Sequence, residues 1–481
     1  MTAPARRRWD DAVVYMVLID RFHRAGDAPP PAAPFLGGNL AGVRAKLDYL
    51  QELGINALWL SPVYKNQRDG YHGYWPVDFF AVDERFGTMA DLRGLIDDCH
   101  ARGMRVLLDM VLNHTGYDCP MARDPQYRGW FHPSGDMLWY DQKSIERKSL
   151  HGLPDFAQEK PQVARWLIDN CRWWYEQTNC DGFRLDAVKH IPSSFWRQFS
   201  SELHTLAKHD FLLLGEVYRG VPGYIARYQR EDGIDSVFDV PFADTVRSAF
   251  TRSCEAPAPS LWARLRDLKQ NYRTMLFNEI VRKLTARKAS DMRWFAELAQ
   301  SDGAYLDPHR LATIIDNHDL SRFAAETDKP AERLRLALTL LLTWRGIPVI
   351  TYGTEIGMAG KTSDESNRAM MRFGADPGLT ADLARLVKLR RTTPALTRGV
   401  QAEVHADRAV YAYRRELDGT RVLVALNNSR RAQTRTLTLP AGPGWQGEWR
   451  DMLGGESLAA DAGKLKIAIP PRAARVLTAA R

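Results

Sequence analysis

Short apolar runs alternate with longer amphipathic stretches through most of the chain. The runs at 13–18, 55–60, 104–108, 182–185, 211–214, 237–238, 312–315 and 347–351 are rich in Val, Ile, Leu and Phe and read as strands. Between them, 40–53, 89–102, 162–177, 194–208 and 331–344 repeat apolar residues at the three- and four-residue spacing of a helix. A strand followed by a long helix and another strand is the unit of a parallel sheet. Eight such strands spread over about 380 residues predict a closed (β/α)8 barrel with long insertions. A doubly wound open sheet shares this alternation, and strand counting alone does not separate the two.

Two stretches break the rhythm. Residues 113–155, after the third strand, are polar and rich in Asp, Pro, Gly, His and Trp. That is too long for an ordinary strand-to-helix loop, so a small subdomain or a lid is expected there. Residues 243–301, between the sixth and seventh strands, carry extra helix. Beyond Thr393-Pro394 the pattern turns to short alternating runs at 410–413, 422–426, 434–439 and 465–469, with turn signals at Asp418-Gly419 and Gly442-Pro443. Alternation of this kind predicts antiparallel strands with one buried face. The expected fold class is thus α/β. A TIM barrel occupies 1–112 and 156–394, a subdomain is inserted at 113–155, and a C-terminal antiparallel β-sandwich spans 395–481.

Composition narrows the classes. The 481 residues are 45% hydrophobic and 26% charged, ordinary for a globular protein. No run approaches the roughly 20 apolar residues of a membrane span, so no membrane partner is expected. Arg6-Arg7-Arg8 is not followed by a signal-length apolar segment: 13–19 is short and runs straight into Asp20-Arg21-Phe22. A cytoplasmic location is the expectation, and a secreted mature form would carry the same residues. The five cysteines, Cys99, Cys119, Cys171, Cys180 and Cys254, lack paired spacing and read as reduced structural thiols. Net charge is +8, but it forms no basic stripe and no nucleic-acid module, so a solvated surface is expected and not a nucleic-acid partner. The pattern carries no signal for an oligomeric state.

In a (β/α)8 barrel, working groups stand at the C-terminal strand ends. Those ends carry Asp109, Asp186, Glu216 and Asp319, joined by Arg184, His114 and His318. Any one acid there is an ordinary helix cap. Converging carboxylates with cationic and imidazole neighbours are what glycoside cleavage requires: one attacks the anomeric carbon, and another, kept protonated, serves the leaving oxygen.

These residues resemble, in order, the signature segments of the α-amylase family of glycoside hydrolases. Asp109-Met-Val-Leu-Asn113-His114 is similar to the first, Gly182-Phe-Arg184-Leu-Asp186-Ala-Val-Lys189-His190 to the second, Gly215-Glu216-Val217 to the third, and Ile315-Asp316-Asn317-His318-Asp319 to the fourth. The stretches 54–62 and 346–355, Tyr71-His72-Gly73-Tyr74-Trp75 and Leu153-Pro154-Asp155 also match. The resemblance implies Asp186 as nucleophile, Glu216 as acid and base, and Asp319 as a transition-state stabiliser whose charge helps keep Glu216 protonated. It implies that Arg184, on the same strand face as Asp186, keeps that carboxylate ionised. His72, His114 and His318 would bond the sugar and Tyr74 would stack on it. Lys189 would contact sugar on the leaving-group side, and His190 would also bind substrate.

The family often holds a structural calcium, a cofactor the resemblance implies here. The matching ligands are Asn113, Asp155 and the carbonyl of His190. Further oxygens would come from 119–140, where Asp124 and Asp136 are available, since calcium takes six to eight. A second, N-terminal calcium loop is not expected, because Ala28-Pro29-Pro30-Pro31 follows Asp20 and Asp27 where more ligands would stand. Lys189-His190 resembles α-amylases and cyclodextrin glucanotransferases, whereas the neopullulanase and cyclomaltodextrinase group tends to carry an extra N-terminal domain. With no recognisable starch-binding module, the expected partner is a soluble α-glucan oligosaccharide, hydrolysed at α-1,4 bonds with retention. An α-glucan transglycosylase with the same trio is the alternative. A catalytically dead binding protein would be expected to have lost Asp186 or Glu216, and both are present.

Overall fold

In the computed structural model, residues 9–26, 32–135, 137–207, 210–255 and 290–479 are described. Eight parallel strands surround one core: β1 (Val14–Val17), β2 (Ala57–Leu60), β3 (Arg105–Met110), β4 (Gly182–Leu185), β5 (Leu212–Gly215), β6 (Ser236–Val237), β7 (Ala312–Thr313) and β8 (Ile347–Thr351). They pair in the order β6-β5-β4-β3-β2-β1-β8-β7. A parallel bridge between Phe238 and Ala312 closes the ring. The open doubly wound sheet is thereby excluded. Strands covered on both faces need apolar residues at every position, and β1, β2, β4 and β5 are buried at each one.

The helices follow from local chemistry. Met89–Ala101 opens with a reciprocal capping box between Thr88 and Asp91 and buries Leu92, Leu95, Ile96 and Cys99. Pro161–Thr178 starts on a proline and stops at Asn179 in the left-handed conformation. Pro330–Thr343 is buried along nearly its whole length from Arg333 on, because it lies between the barrel and the C-terminal domain. Its last carbonyls accept from two buried arginines: Arg390 bonds Leu342 O and Trp344 O, and Arg415 bonds Thr343 O. A cation at a helix C-terminus is favoured by the helix dipole.

Several expectations are corrected. The stretch 40–53 is two helices, Leu40–Ala45 and Leu47–Glu52, broken at Lys46. β3 runs two residues further than its apolar run, so Asp109 lies inside the strand. The segment after Arg219 adds a helix from Pro222 to Glu231, started by its proline. A hairpin, Tyr64–Asn66 with Pro76–Val82, was not anticipated. Within 113–155 the described residues form 3-10 turns and one helix, Gln142–Arg147. Of the extra helix expected in 243–301, Val240–Phe250 and Trp294–Gln300 are seen; 256–289 lie outside the described residues, as do Asp27, 28–31 and Asp136.

The C-terminal domain is one antiparallel sheet of eight strands, twice the number of alternating runs read from the sequence. Its strands alternate cleanly. Val410, Ala412, Leu423, Ala425 and Leu477 face Leu437, Leu465, Ile467 and Trp449 across an internal core. Tyr411, Tyr413, Val422, Val424 and Val476 point the other way, into the barrel's core. The sheet thus folds over on itself as a sandwich, with its second face docked on the barrel. All five cysteines are buried and unbridged. No helix among the described residues is long and apolar enough to cross a membrane.

Candidate active site

The barrel register brings the first three site residues together. Asp109 on β3 is the lateral partner of Arg184 on β4. Arg184 and Asp186, two residues apart, share a face. Arg184 is 1% exposed and its guanidinium meets three carboxylates. Nη1 donates to Asp186 Oδ1 at 2.7 Å and to Asp109 Oδ1 and Oδ2 at 2.9 and 3.1 Å. Nη2 lies 2.8 Å from Glu216 Oε2. Oxygens at such distances from two nitrogens of one planar guanidinium are no more than about 8 Å apart. Asp186 and Glu216 therefore face the same pocket. The turn after Asp186 tightens the pair: Ala187, at φ +50°, donates its N–H to Glu216 Oε2 at 3.2 Å. A non-glycine residue in this region is strained, and such strain concentrates at functional turns.

Asp109 was legible as an acid at a strand end, but its work is internal. It accepts from Tyr74 OH at 2.7 Å and Trp59 Nε1 at 2.9 Å as well as from Arg184. Tyr74 reaches it from the turn of the 64–82 hairpin. Gly73 makes that turn possible at φ +89°, where a Cβ would sit 2.3 Å from Pro62 O.

Arg184 favours the ionised form of Asp186 by its charge and its hydrogen bond, and burial opposes it. Burial raises the Asp186 pKa well above the usual carboxylate range, and the Glu216 and Asp109 charges raise it further against the pull of Arg184. Asp109 is likewise raised by burial. One guanidinium is thus shared by three carboxylates, and Asp109 and Asp186 titrate as interacting groups. The Asp319 carboxylate is met by Arg368 Nη2 at 2.7 Å.

Three imidazoles line the same region. His72 accepts the Tyr74 N–H at Nδ1, and burial brings its pKa down to about 3. His114 Nε2 lies 3.1 Å from Tyr74 O, with its pKa lowered to about 4 by burial. His318 is lowered well below its usual value, by burial and then by Arg368 and Arg184. Its Nε2 is 3.1 Å from Asp319 Oδ2 without hydrogen-bond alignment, and both ring nitrogens are buried with no partner. Neutral imidazoles with unspent donors and acceptors suit a neutral polyhydroxylated ligand. Tyr74 lies parallel to His318, ring centroids 5.3 Å apart. Part of its face is therefore already covered.

Lys189 lies at the mouth, its Nζ 3.2 Å from Tyr218 O and 5.2 Å from the Trp139 ring centroid. His190 is placed differently. Its buried ring contacts Ile145 O at 3.3 Å and the edge of Trp139, holding the inserted segment and not joining the carboxylates. Of the candidate calcium residues, Asn113 and Asp155 come together. Asn113 O accepts from Phe156 N, and His114 bridges Asp155 through the backbone. Asn113 Oδ1 and Asp155 Oδ1 are both buried without a hydrogen-bond partner, while Asp155 Oδ2 is 2.7 Å from His132 Nδ1. Burial pushes the Asp155 carboxyl up to about 6.

Arg368 and Tyr71 escaped the sequence reading as polar site residues. Tyr71 stands in a signature-like segment, but nothing local links it to an arginine 297 positions away.

The profile described as alpha amylase, catalytic domain, matches residues 14–388, and that described as maltogenic amylase, C-terminal domain, matches 402–476. The chain is 30% identical to a beta/alpha-amylase of Paenibacillus polymyxa over 98% of its own length, and spans 38% of that protein. It is 29% identical to neopullulanase 2 of Thermoactinomyces vulgaris, covering 97% of this chain and 77% of the relative. Among solved structures, an α-amylase from Geobacillus thermoleovorans complexed with acarbose matches with 34% identity and a TM-score of 0.86, over 99% of both chains. A cyclomaltodextrin glucanotransferase with three-domain ABC distribution matches with 27% identity and a TM-score of 0.79, over 98% of this chain and 99% of the other.

Proposed function

Because the chain belongs to the α-amylase family of glycoside hydrolases, we propose that it cleaves α-1,4-glucosidic bonds in maltooligosaccharides and dextrins with retention of configuration. The observation that carries this reading is the seating of Asp186 and Glu216 on a single guanidinium. Retaining cleavage needs two carboxyls about 5–5.5 Å apart, and the bound of about 8 Å accommodates that spacing.

Asp186, ionised, attacks C1 of the sugar while the Glu216 carboxyl gives its proton to the glycosidic oxygen. The C1–O bond breaks, the shortened glucan leaves as an alcohol, and a glycosyl ester remains on Asp186. Glu216, now ionised, takes a proton from water as the water oxygen attacks C1 and releases Asp186. Asp319, His72, His114 and His318 bind sugar hydroxyls, Tyr74 packs on the ring, and Lys189 stands on the leaving-group side. A time course on maltoheptaose tests this. Shorter maltooligosaccharides released as the α-anomer are expected. Initial β-anomer would end the double-displacement reading. Chains longer than the substrate at early times would make transglycosylation, the second reading, the better name.

A structural calcium belongs to the same proposal. The orphaned Asn113 Oδ1 and Asp155 Oδ1 are hard oxygen donors of the kind calcium takes. Among the described residues no three His, Cys, Asp or Glu side chains gather as a metal site, so amide and backbone oxygens, the His190 carbonyl among them, would complete the shell. The ion would tie the inserted segment to the barrel. Chelation is then expected to lower the melting temperature by several degrees, recoverable with calcium. An unchanged melting curve in excess chelator removes the metal.

A further inference from the structure

The two sides of the pocket are fixed by different cations. Arg184 organises Asp109, Asp186 and Glu216. Asp319 lies beyond those contacts, on the loop after β7, with a side chain 45% exposed. A short carboxylate on a loop at that exposure has rotamer freedom that catalysis must remove.

We propose that Arg368, in the turn after β8, is the positioning residue that holds Asp319 in its working orientation; this rests on the function proposed above. The planar fork makes three contacts in different directions. Nη2 donates to Asp319 Oδ1 at 2.7 Å, Nε to His318 O at 2.8 Å, and Nη1 to Tyr71 OH at 3.3 Å. One rigid group thus sets the carboxylate, the backbone just before it and the hairpin turn that carries His72. The turn is itself clamped. Asn367 Nδ2 donates to His318 O and Leu320 O at 2.8 and 3.1 Å, and Tyr71 OH donates to Glu365 Oε2 at 3.3 Å. Glu365 enters the turn at φ +57°, a strained conformation that these contacts over-determine. Among the described residues, the only other cationic side chain within salt-bridge distance of Asp319 is His318, whose low pKa leaves it neutral.

Lysine could meet the carboxylate but not the carbonyl and the tyrosine together, since it lacks the planar fork. Arg368→Met is expected to lower kcat on maltotriosyl fluoride about 100-fold, the scale of a misplacement near 1 Å, with KM moving less than threefold and the melting temperature little changed. Arg368→Lys is expected to recover part of the loss. The decisive measurement is the cycle with Asp319→Asn. If Arg368 acts through Asp319, the double variant is no worse than Asp319→Asn alone. The cycle is read on turnover and also on acarbose affinity, so a very slow Asp319→Asn variant still reports. Additive losses, or an Arg368→Met variant with wild-type kcat, overturn the proposal. A wild-type protein that neither turns over the fluoride nor binds acarbose would instead end the functional reading on which it stands.

Discussion

Glu216→Gln is expected to slow maltoheptaose cleavage by about 10²–10⁴-fold, the usual contribution of a positioned general acid. The amide keeps the size of the side chain and can still meet the Arg184 fork, so affinity for an uncleaved oligosaccharide should hardly change. The loss belongs to the transition state, because no proton reaches the leaving oxygen. A substrate whose leaving group needs no proton separates this from general damage. With maltotriosyl fluoride the first step should survive and fluoride should appear as a burst, while release of the sugar lags for want of a base. Stability should hardly change, since the amide keeps its place beside Arg184. A maltoheptaose rate within tenfold of the parent protein would mean that Glu216 is not the proton donor.

Arg184→Met is expected to damage folding and chemistry together. The substitution leaves Asp109, Asp186 and Glu216 around a buried space that has lost its cation. Removing one partner of a buried ion cluster costs about 3–5 kcal/mol. Asp109 and Asp186 already have folded-state pKa values above the ordinary carboxylate value, and without Arg184 they rise further. A raised carboxylate favours folding only while it stays protonated, and its unfolded counterpart ionises first as pH rises. The unfolded values are common to both proteins, so the gap should be small below pH 4 and should open as pH rises past the raised folded-state values of the parent, above the ordinary carboxylate range. Thermal melts of the variant and the parent protein at several pH values measure the gap. A gap that does not open with rising pH would show that the guanidinium does not carry the cluster. Turnover should be lost at every pH, because the same fork orients Asp186 and Glu216.

The trio was legible because each member stands at a strand end inside a short signature: Arg184-Leu-Asp186 on β4, Gly215-Glu216 on β5, and Asn317-His318-Asp319 after β7. The electrostatic roles were not. One cation shared among three acids depends on the lateral register of β3 and β4, which no single segment encodes. Asp109 appeared as one more acid, and its bonds to Trp59 and Tyr74 cross to two other elements. His190 followed its motif but is turned to Ile145, because the helix Gln142–Arg147 packs against the turn that carries it. The 64–82 hairpin went unread because its strands lack the alternation of a half-buried sheet.

Hydrophobic period by itself determined the eight barrel strands and the crossover helices, since strands buried on both faces must be apolar throughout and covering helices on one side only. It also marked the last part of the chain as short strands, although 410–413 and 422–426 turn out to be buried on both faces, one in the sandwich and one against the barrel. Closure of the ring through Phe238 and Ala312, the folding of the last sheet into a sandwich, and the assignment of one arginine to each side of the pocket were decided by tertiary structure alone. Those features are contacts between residues far apart in the chain. Asp319 and Arg368 are 49 positions from each other, and their pairing exists only once β7 and β8 lie side by side.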